Sequence, residues 1–131
     1  ARDEAVRFLR QSWETFVLEG WMVDRCARDI LESAGYGEFF THRLGHNLGL
    51  DLHGPGANLD DLETHDNRTL TQGLGFTIEP GVYPLERGFG IRSEINVFMG
   101  ETGPRVTTPN QHNLFVLGDL EWEQVAYDGN A

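Results

Sequence analysis

The chain has 131 residues, the length of one compact domain or of a large part of one. With 39% apolar and 11% aromatic residues it can build a hydrophobic core, so a disordered chain is excluded. The net charge of −11 is accompanied by only ten Lys and Arg residues, which argues against a nucleic-acid-binding surface. The single cysteine cannot form an internal disulfide, and neither a signal peptide nor a membrane-spanning run is recognisable. These features predict a cytoplasmic protein with no membrane partner.

The first predicted helix is amphipathic. Its apolar residues recur at steps of three and four, which places them on one stripe of a helix: Val6, Leu9, Trp13, Phe16 and Val17. Gly20 is predicted to end this helix.

A second helix is predicted from Val23 to Ala34, with Gly35 just beyond it in a left-handed cap. Its apolar residues are expected to face inward: Val23, Ala27, Ile30 and Leu31. Asp24 and Asp29 are expected at the surface. Cys26, within this helix, is interpreted as a small packed residue and not as a reactive thiol.

From Tyr36 onward, glycines separate short segments of alternating polarity, as is typical of a curved antiparallel sheet with turns. The alternation predicts strands in 48–53, 76–79 and 91–97, each with one polar face. The stretch 54–67 is predicted to be a polar loop, and 101–105 a turn before another strand. Because the helices precede the strands, the predicted class is α+β.

The residues that could bind a metal or take part in catalysis are concentrated in a few places. Three of the five histidines, His42, His46 and His53, fall within twelve residues, between glycines and leucines that indicate partial burial. Two carboxylates, Glu79 in T-I-E-P-G and Glu94 in I-R-S-E, lie on predicted strands. A metal site of imidazole and carboxylate without thiolate favours Mn²⁺ or Co²⁺, with Zn²⁺ as an alternative. The sequence lacks H-E-x-x-H and any recognisable serine or cysteine nucleophile motif.

Three motifs carry a resemblance to a known family. In chain order they are G-Y-G-E-F-F-T-H-R-L-G-H-N-L-G-L-D-L-H, G-F-T-I-E-P-G-V-Y and G-I-R-S-E-I-N-V. Over residues 23–98 the chain resembles the second half of the pita-bread metallopeptidases, particularly the prolidase and aminopeptidase P branch. The R-x-E context of Glu94 favours that branch over the methionine aminopeptidases. The resemblance implies a pita-bread (creatinase/aminopeptidase-like) half-domain, in which two helices precede a curved antiparallel sheet.

The resemblance also implies a set of site residues. His46, Glu79 and Glu94 match metal ligands of a site for two divalent ions, with Mn²⁺ favoured and Co²⁺ or Zn²⁺ as alternatives. His42 and His53 match histidines that line the substrate pocket and stabilise the tetrahedral intermediate. Arg92 matches the arginine beside the bridging glutamate. A metal-bound hydroxide is then expected to attack the peptide bond before proline, while Glu79 transfers the proton.

Residues 1–131 are accordingly expected to form the C-terminal half of a catalytic domain, with two aspartate ligands in a missing N-terminal half. The expected partners are a Xaa-Pro peptide substrate, that missing half, and a second copy in a homodimer. The isolated chain is expected to be inactive. The alternatives are a non-catalytic pita-bread module that binds peptides or proteins, and a fragment with only a structural or oligomerisation role.

Some residues depart from the family's pattern or remain without a role. Asn47 stands where glycine is common, Gly54 where an acidic residue is frequent, and Ile95 where an acidic residue often follows the bridging glutamate. These departures bear on substrate preference more than on the metal ligands. His65 and His112 are expected in surface loops, and residues 117–131 are expected to pack on a partner or on the missing half.

Overall fold

Two helices come first along the chain, and strands follow. The computed structural model describes residues 1–114, in which α1 comprises Arg2–Ser12 and α2 comprises Gly20–Ser33. Neither of these helices has both the length and the apolar character needed to cross a membrane. The predicted α+β order is therefore confirmed, and the proposed packing of 117–131 falls outside the described residues.

Helix α1 is shorter than its apolar pattern suggested. Val6 and Leu9 are buried as predicted, but the helix ends at Ser12. The Ser12 carbonyl there accepts hydrogen bonds from the backbone and the hydroxyl of Thr15. Phe16 and Val17, which were expected on the buried stripe, are 49% and 63% exposed.

Gly20 was expected to end α1, but it is the first residue of α2. The reason is packing: a Cβ at Gly20 would overlap the carbonyl oxygen of Asn58. The glycine therefore allows close contact between the start of α2 and the loop 54–67.

The end of α2 follows the prediction. Gly35 has a φ of 79°, and its amide donates to the carbonyl of Glu32 while that of Tyr36 donates to the carbonyl of Leu31. This pair of bonds is a Schellman cap, which satisfies helix-end carbonyls that have no intrahelical partner.

The six strands within residues 1–114 form two antiparallel sheets. Their bounds are β1 Asn47–Leu48, β2 Gly75–Ile78, β3 Gly81–Val82, β4 Ile91–Arg92, β5 Ile95–Gly100 and β6 Gly103–Val106. The larger sheet has the order β1-β2-β5-β6, and β3 pairs with β4 in a second sheet. Strands β5 and β6 are joined by a tight hairpin at the predicted turn, where Gly103 has a φ of 113°.

Two predicted strands were wrong in extent. Of the stretch 48–53, only Leu48 is paired, as the second residue of β1, and Leu50 and Leu52 are 108% and 71% exposed. The predicted strand 91–97 is interrupted at 93–94, because β4 pairs with β3 whereas β5 pairs with β2. The interruption lets the chain pass from the small sheet to the large one.

Helices, strands and several connecting segments share a single hydrophobic core. Fully or almost fully buried members include Leu9 and Val23 from the helices, and Phe76 and Val97 from neighbouring strands. The loop 54–67, although polar in composition, contributes Leu59, which is 0% exposed. The core therefore fixes that loop as well as the sheet.

A buried ion pair links α2 to the segment that follows it. Asp24, predicted at the surface, is 0% exposed and receives two hydrogen bonds from Arg28. Arg28 also donates to the carbonyls of Phe40 and His42, at 2.9 and 3.0 Å. The amide of Leu44 donates to Asp24 Oδ1 at 2.7 Å. Burial raises the pKa of Asp24, and the hydrogen bonds and positive charge of Arg28 oppose that rise.

We predict that Asp24→Asn lowers the free energy of unfolding by about 3–5 kcal/mol, because Arg28 is then left buried without a counter-charge. Urea denaturation of the purified protein measures the change. Asp29→Asn is the matched control on the same helix, since Asp29 is 61% exposed, and it should change stability by less than about 1 kcal/mol. Equal effects of the two substitutions would contradict this account of the pair.

Candidate metal centre

His46 and Glu79 meet at the edge of the larger sheet. His46 precedes β1 and Glu79 follows β2, and the two strands are antiparallel neighbours. The pairing continues on the N-terminal side of β1, where the Thr77 amide donates to the His46 carbonyl and the Glu79 amide donates to the Leu44 carbonyl. This pairing brings His46 Nε2 to 3.4 Å from Glu79 Oε1. Both residues are buried, at 6% and 8% exposure.

Thr77 connects the two side chains. Its hydroxyl oxygen accepts a hydrogen bond from the His46 amide at 2.9 Å, and its hydroxyl donates to Glu79 Oε1 at 3.0 Å. Thr77 is 2% exposed. The sequence did carry a signal for this residue, because Thr77 lies two positions before Glu79 and so shares its face of an extended chain.

The hydrogen bonding of His46 leaves one ring nitrogen free to bind a cation. His46 Nδ1 lies 3.2 Å from the carbonyl oxygen of Asn47, which can only accept a hydrogen bond. In the tautomer that carries its proton on Nδ1, the Nε2 lone pair is on the side of Glu79 and can bind a cation. Imidazole nitrogen and carboxylate oxygen at this spacing suit divalent ions such as Mn²⁺, Co²⁺ or Zn²⁺.

Arg92 and His42 are joined through Tyr83. Arg92 Nε donates to the Tyr83 hydroxyl oxygen at 2.8 Å, and that hydroxyl is 3.1 Å from His42 Nε2. His42 Nδ1 lies 2.7 Å from the Arg43 carbonyl, so it carries the proton and Nε2 accepts from Tyr83. Arg92 Nη1 is also 3.3 Å from Glu79 Oε2. The hydrogen bond to Tyr83 raises the already high pKa of Arg92, burial opposes this rise, and the nearby acidic groups add to it.

All six predicted site residues line one cavity of about 410 Å³, together with Arg43, Leu52 and Glu63. The His53 ring packs edge-on against that of His46, with centroids 4.2 Å apart. Glu94 and His53 are exposed. Within residues 1–114, no three His, Cys, Asp or Glu side chains are close enough together to hold a metal ion.

A hydrogen-bond network from α1 holds the segment that separates Arg92 from Glu94. Arg2, which is 7% exposed, donates to the Ser93 hydroxyl at 2.8 Å and to the Gln111 carbonyl at 2.9 Å. The Ser93 amide donates to the carbonyl of Pro80. The predicted continuous strand is therefore replaced by a fixed bend, from which Arg92 and Glu94 still reach the same cavity.

Two of the departures from the family pattern are structurally connected. The Asn47 side chain donates to the Gly75 carbonyl and accepts from the Gly56 amide, at 2.9 and 3.0 Å. A Cβ at Gly54 or Gly56 would overlap this side chain. Asn47 therefore occupies space that side chains at 54 and 56 would otherwise fill.

The remaining histidines lie outside the cavity, in agreement with their interpretation as loop residues. His65 is exposed, bonds to Asp61 at 2.7 Å and stacks on Trp21. The hydrogen bond from His65, helped by Arg25, lowers the pKa of Asp61. His112 is exposed. Cys26 is half-buried, and burial raises the pKa of its thiol, as expected of a packed residue.

Comparisons with known proteins identify the family. The sequence profile of metallopeptidase family M24 matches residues 8–101, and the chain belongs to this family. It is 42% identical over 86 residues to an uncharacterized peptidase of Staphylococcus epidermidis. The matched region covers 66% of this chain and 23% of that protein. It is 36% identical over 92 residues to a Xaa-Pro dipeptidase of Pyrococcus furiosus. The matched region covers 70% of this chain and 25% of that protein.

Solved structures agree with this assignment. A dipeptidase of Pyrococcus horikoshii is similar with a TM-score of 0.68 and 35% identity, over 86% of this chain and 29% of that one. An X-Pro aminopeptidase of Thermotoga maritima gives a TM-score of 0.67 and 34% identity, over 84% and 29% of the two chains. The pita-bread fold is thereby confirmed. The chain spans about a quarter of the length of the curated relatives it matches.

We predict that Gly45→Ala destabilises the protein by more than about 2 kcal/mol, because the new Cβ would overlap the Thr77 carbonyl oxygen and force β2 away from His46. Gly49→Ala is the matched control, since the nearest atom to its Cβ is 3.9 Å away. The midpoints of urea denaturation compare the two variants. Similar midpoints would show that the contact between residues 45 and 77 is not a steric constraint.

We predict that Thr77→Val, in the complete protein, weakens divalent-metal affinity by about 10- to 100-fold, because Glu79 loses the hydroxyl that orients it. The His46 amide also loses its acceptor. Thr77→Ser keeps the hydroxyl and should retain most of the affinity. Calorimetric titration with Mn²⁺ measures the constants, and equal affinities of the Val and Ser variants would refute the role of this hydroxyl.

Proposed function

We propose that the complete protein containing this chain is a metal-dependent peptidase that hydrolyses the bond preceding proline, as a Xaa-Pro dipeptidase or aminopeptidase. The main support is the contact of His46 Nε2 with Glu79 Oε1 in a cavity that also contains a positively charged Arg92. Family membership and the Xaa-Pro dipeptidases among the relatives support the same reaction class. The 131-residue chain alone remains predicted to be inactive.

We infer that His46, Glu79 and Glu94 hold two divalent metal ions together with carboxylates from the rest of the protein, Mn²⁺ being favoured. Glu94 lines the cavity from the bend after β4, and His46 and Glu79 from the β1–β2 edge. Bound there, the cations supply Lewis acidity that polarises a carbonyl and makes water more acidic. Residues 1–114 do not bring three metal-ligating side chains together. The proposed carboxylates from the rest of the protein would complete the site.

Glu79 is the proposed proton carrier. Its two oxygens are oriented by Thr77 on one side and Arg92 on the other. A carboxylate held in this way can accept a proton from the attacking water and deliver it to the nitrogen of proline as the peptide bond breaks. Proline's nitrogen leaves as a secondary amine, which requires that proton.

His42 and His53 are proposed to stabilise the negative charge that develops on the carbonyl oxygen. His53 is exposed to the cavity and packs on His46, so its ring faces the position of a bound peptide. Both ring nitrogens of His42 have partners in this structure, so its proposed role requires Nε2 to exchange the Tyr83 hydroxyl for the substrate oxygen and to donate to it. A non-catalytic binding module, the alternative function, has no specific observation in its favour, since the proposed ligand pair is intact. A homodimer stays a prediction.

We predict that His46→Ala in the complete protein lowers the metal content and reduces kcat/KM for an Xaa-Pro dipeptide by more than about a thousandfold. Metal analysis and kinetics with Ala-Pro are the measurements, with chelator-treated protein reloaded with Mn²⁺ alongside. His112→Ala, an exposed histidine outside the cavity, serves as the control. Full metal content with unchanged turnover in His46→Ala would rule out the proposed site.

A further inference from the structure

A third carboxylate lines the cavity and has no part in the proposed chemistry. Besides Glu79 and Glu94, the lining includes Glu63. Of the described lining residues, only Glu63 comes from the loop 54–67. The loop therefore brings a negative charge to a cavity whose other walls are built by the 42–53 segment and the strands.

The backbone around Glu63 is held firmly, although the sequence suggested a plain polar loop. The buried carboxylate of Asp60, 1% exposed, accepts hydrogen bonds from the amides of Leu62, Glu63 and Thr64 at 2.9, 3.0 and 3.2 Å. The Thr64 hydroxyl bonds to the same carboxylate. Three consecutive amides on one buried carboxylate give Glu63 a defined position in the loop.

The loop is also anchored to α2. Asp61, next to this turn, accepts a hydrogen bond from Arg25 Nε at 2.9 Å and one from His65 at 2.7 Å. The His65 ring stacks on Trp21, with centroids 4.7 Å apart. These contacts join both sides of Glu63 to the helix, so the residue is held at the cavity by the framework of the fold.

Burial and charge indicate what Glu63 can bind. Glu63 is exposed, whereas His46 and Glu79 are 6% and 8% exposed, so it lies at the rim and the pair lies deeper. Glu79 is already paired with Arg92. Within residues 1–114, no ion pair or hydrogen bond joins the Glu63 side chain to another residue, including Arg43 in the same lining. An exposed, unpaired carboxylate at the rim favours a positively charged group that extends to it from a peptide bound at the deeper pair.

We propose that Glu63 is a specificity-determining residue that favours peptides with lysine or arginine immediately before proline. Either side chain carries its charge at the end of a long aliphatic stem, which can lie along the cavity wall while the terminal charge pairs with the Glu63 carboxylate at the rim. This inference rests on the proposed function, and it adds a substrate preference to it.

The experiment uses the complete, Mn²⁺-loaded protein and the dipeptides Lys-Pro and Met-Pro, whose side chains are similar in length and differ in charge. Glu63→Gln should lower the ratio of kcat/KM for Lys-Pro to that for Met-Pro by about three- to tenfold, mainly through KM. Glu63→Asp should retain part of the preference. Glu86→Gln, the same change at an exposed site outside the cavity, should leave the ratio unaltered.

The outcomes separate this inference from the function on which it rests. Absence of turnover of both dipeptides by the wild-type protein would refute the proposed function. Turnover with the same ratio in wild type and Glu63→Gln would overturn the role of Glu63 alone. An equal loss for both dipeptides, or a loss of bound Mn²⁺, would show that Glu63 contacts a common group or the metal, and would also overturn it. A ratio that declines with added salt in the wild type but not in Glu63→Gln would support it.

Discussion

The position of the histidine-bearing segment depends on the buried pair of Asp24 and Arg28. Between α2 and β1 the chain contains a single 3-10 turn, Gly37–Phe39, and no strand, so most of its backbone groups need partners elsewhere. Arg28 binds two of its carbonyls and Asp24 binds one of its amides. Desolvation makes such a pair a weak source of net stability, but its fixed geometry determines where the segment lies. His42 contributes one of the carbonyls, so the pair acts directly on a site residue.

The order of elements and the identity of the cavity residues could be predicted from the sequence, because both depend on local patterns. The left-handed glycine after α2 and the turn before β6 follow from the conformational needs of single residues. The six site residues were identifiable through three short motifs, and they line one cavity. What each does there remains a proposal.

Other features depended on contacts between distant residues, and local patterns could not reveal them. Asp24 resembles a surface aspartate in sequence: Arg28, four residues later, is compatible with an exposed helix pair, and nothing nearby indicates that Leu44 will cover it. Alternating leucines at 48–52 resemble a strand, yet the partner strand β2 pairs only as far as Leu48. The relation of Asn47 to Gly54 becomes visible only when the loop folds back, because each residue alone is merely unusual.

The site draws its charged groups from two sheets. Glu79 follows β2 of the four-stranded sheet, whereas Arg92 ends β4, which among the described strands pairs with the two residues of β3 alone. His46 and Glu79 are tied to the same pair of strands, and the Thr77 hydroxyl links them further. A small rotation of the β3–β4 hairpin would therefore change the separation of Glu79 and Arg92 and leave that of His46 and Glu79 almost constant. The position of the hairpin therefore determines how close the positive charge of Arg92 lies to Glu79, independently of the distance between His46 and Glu79.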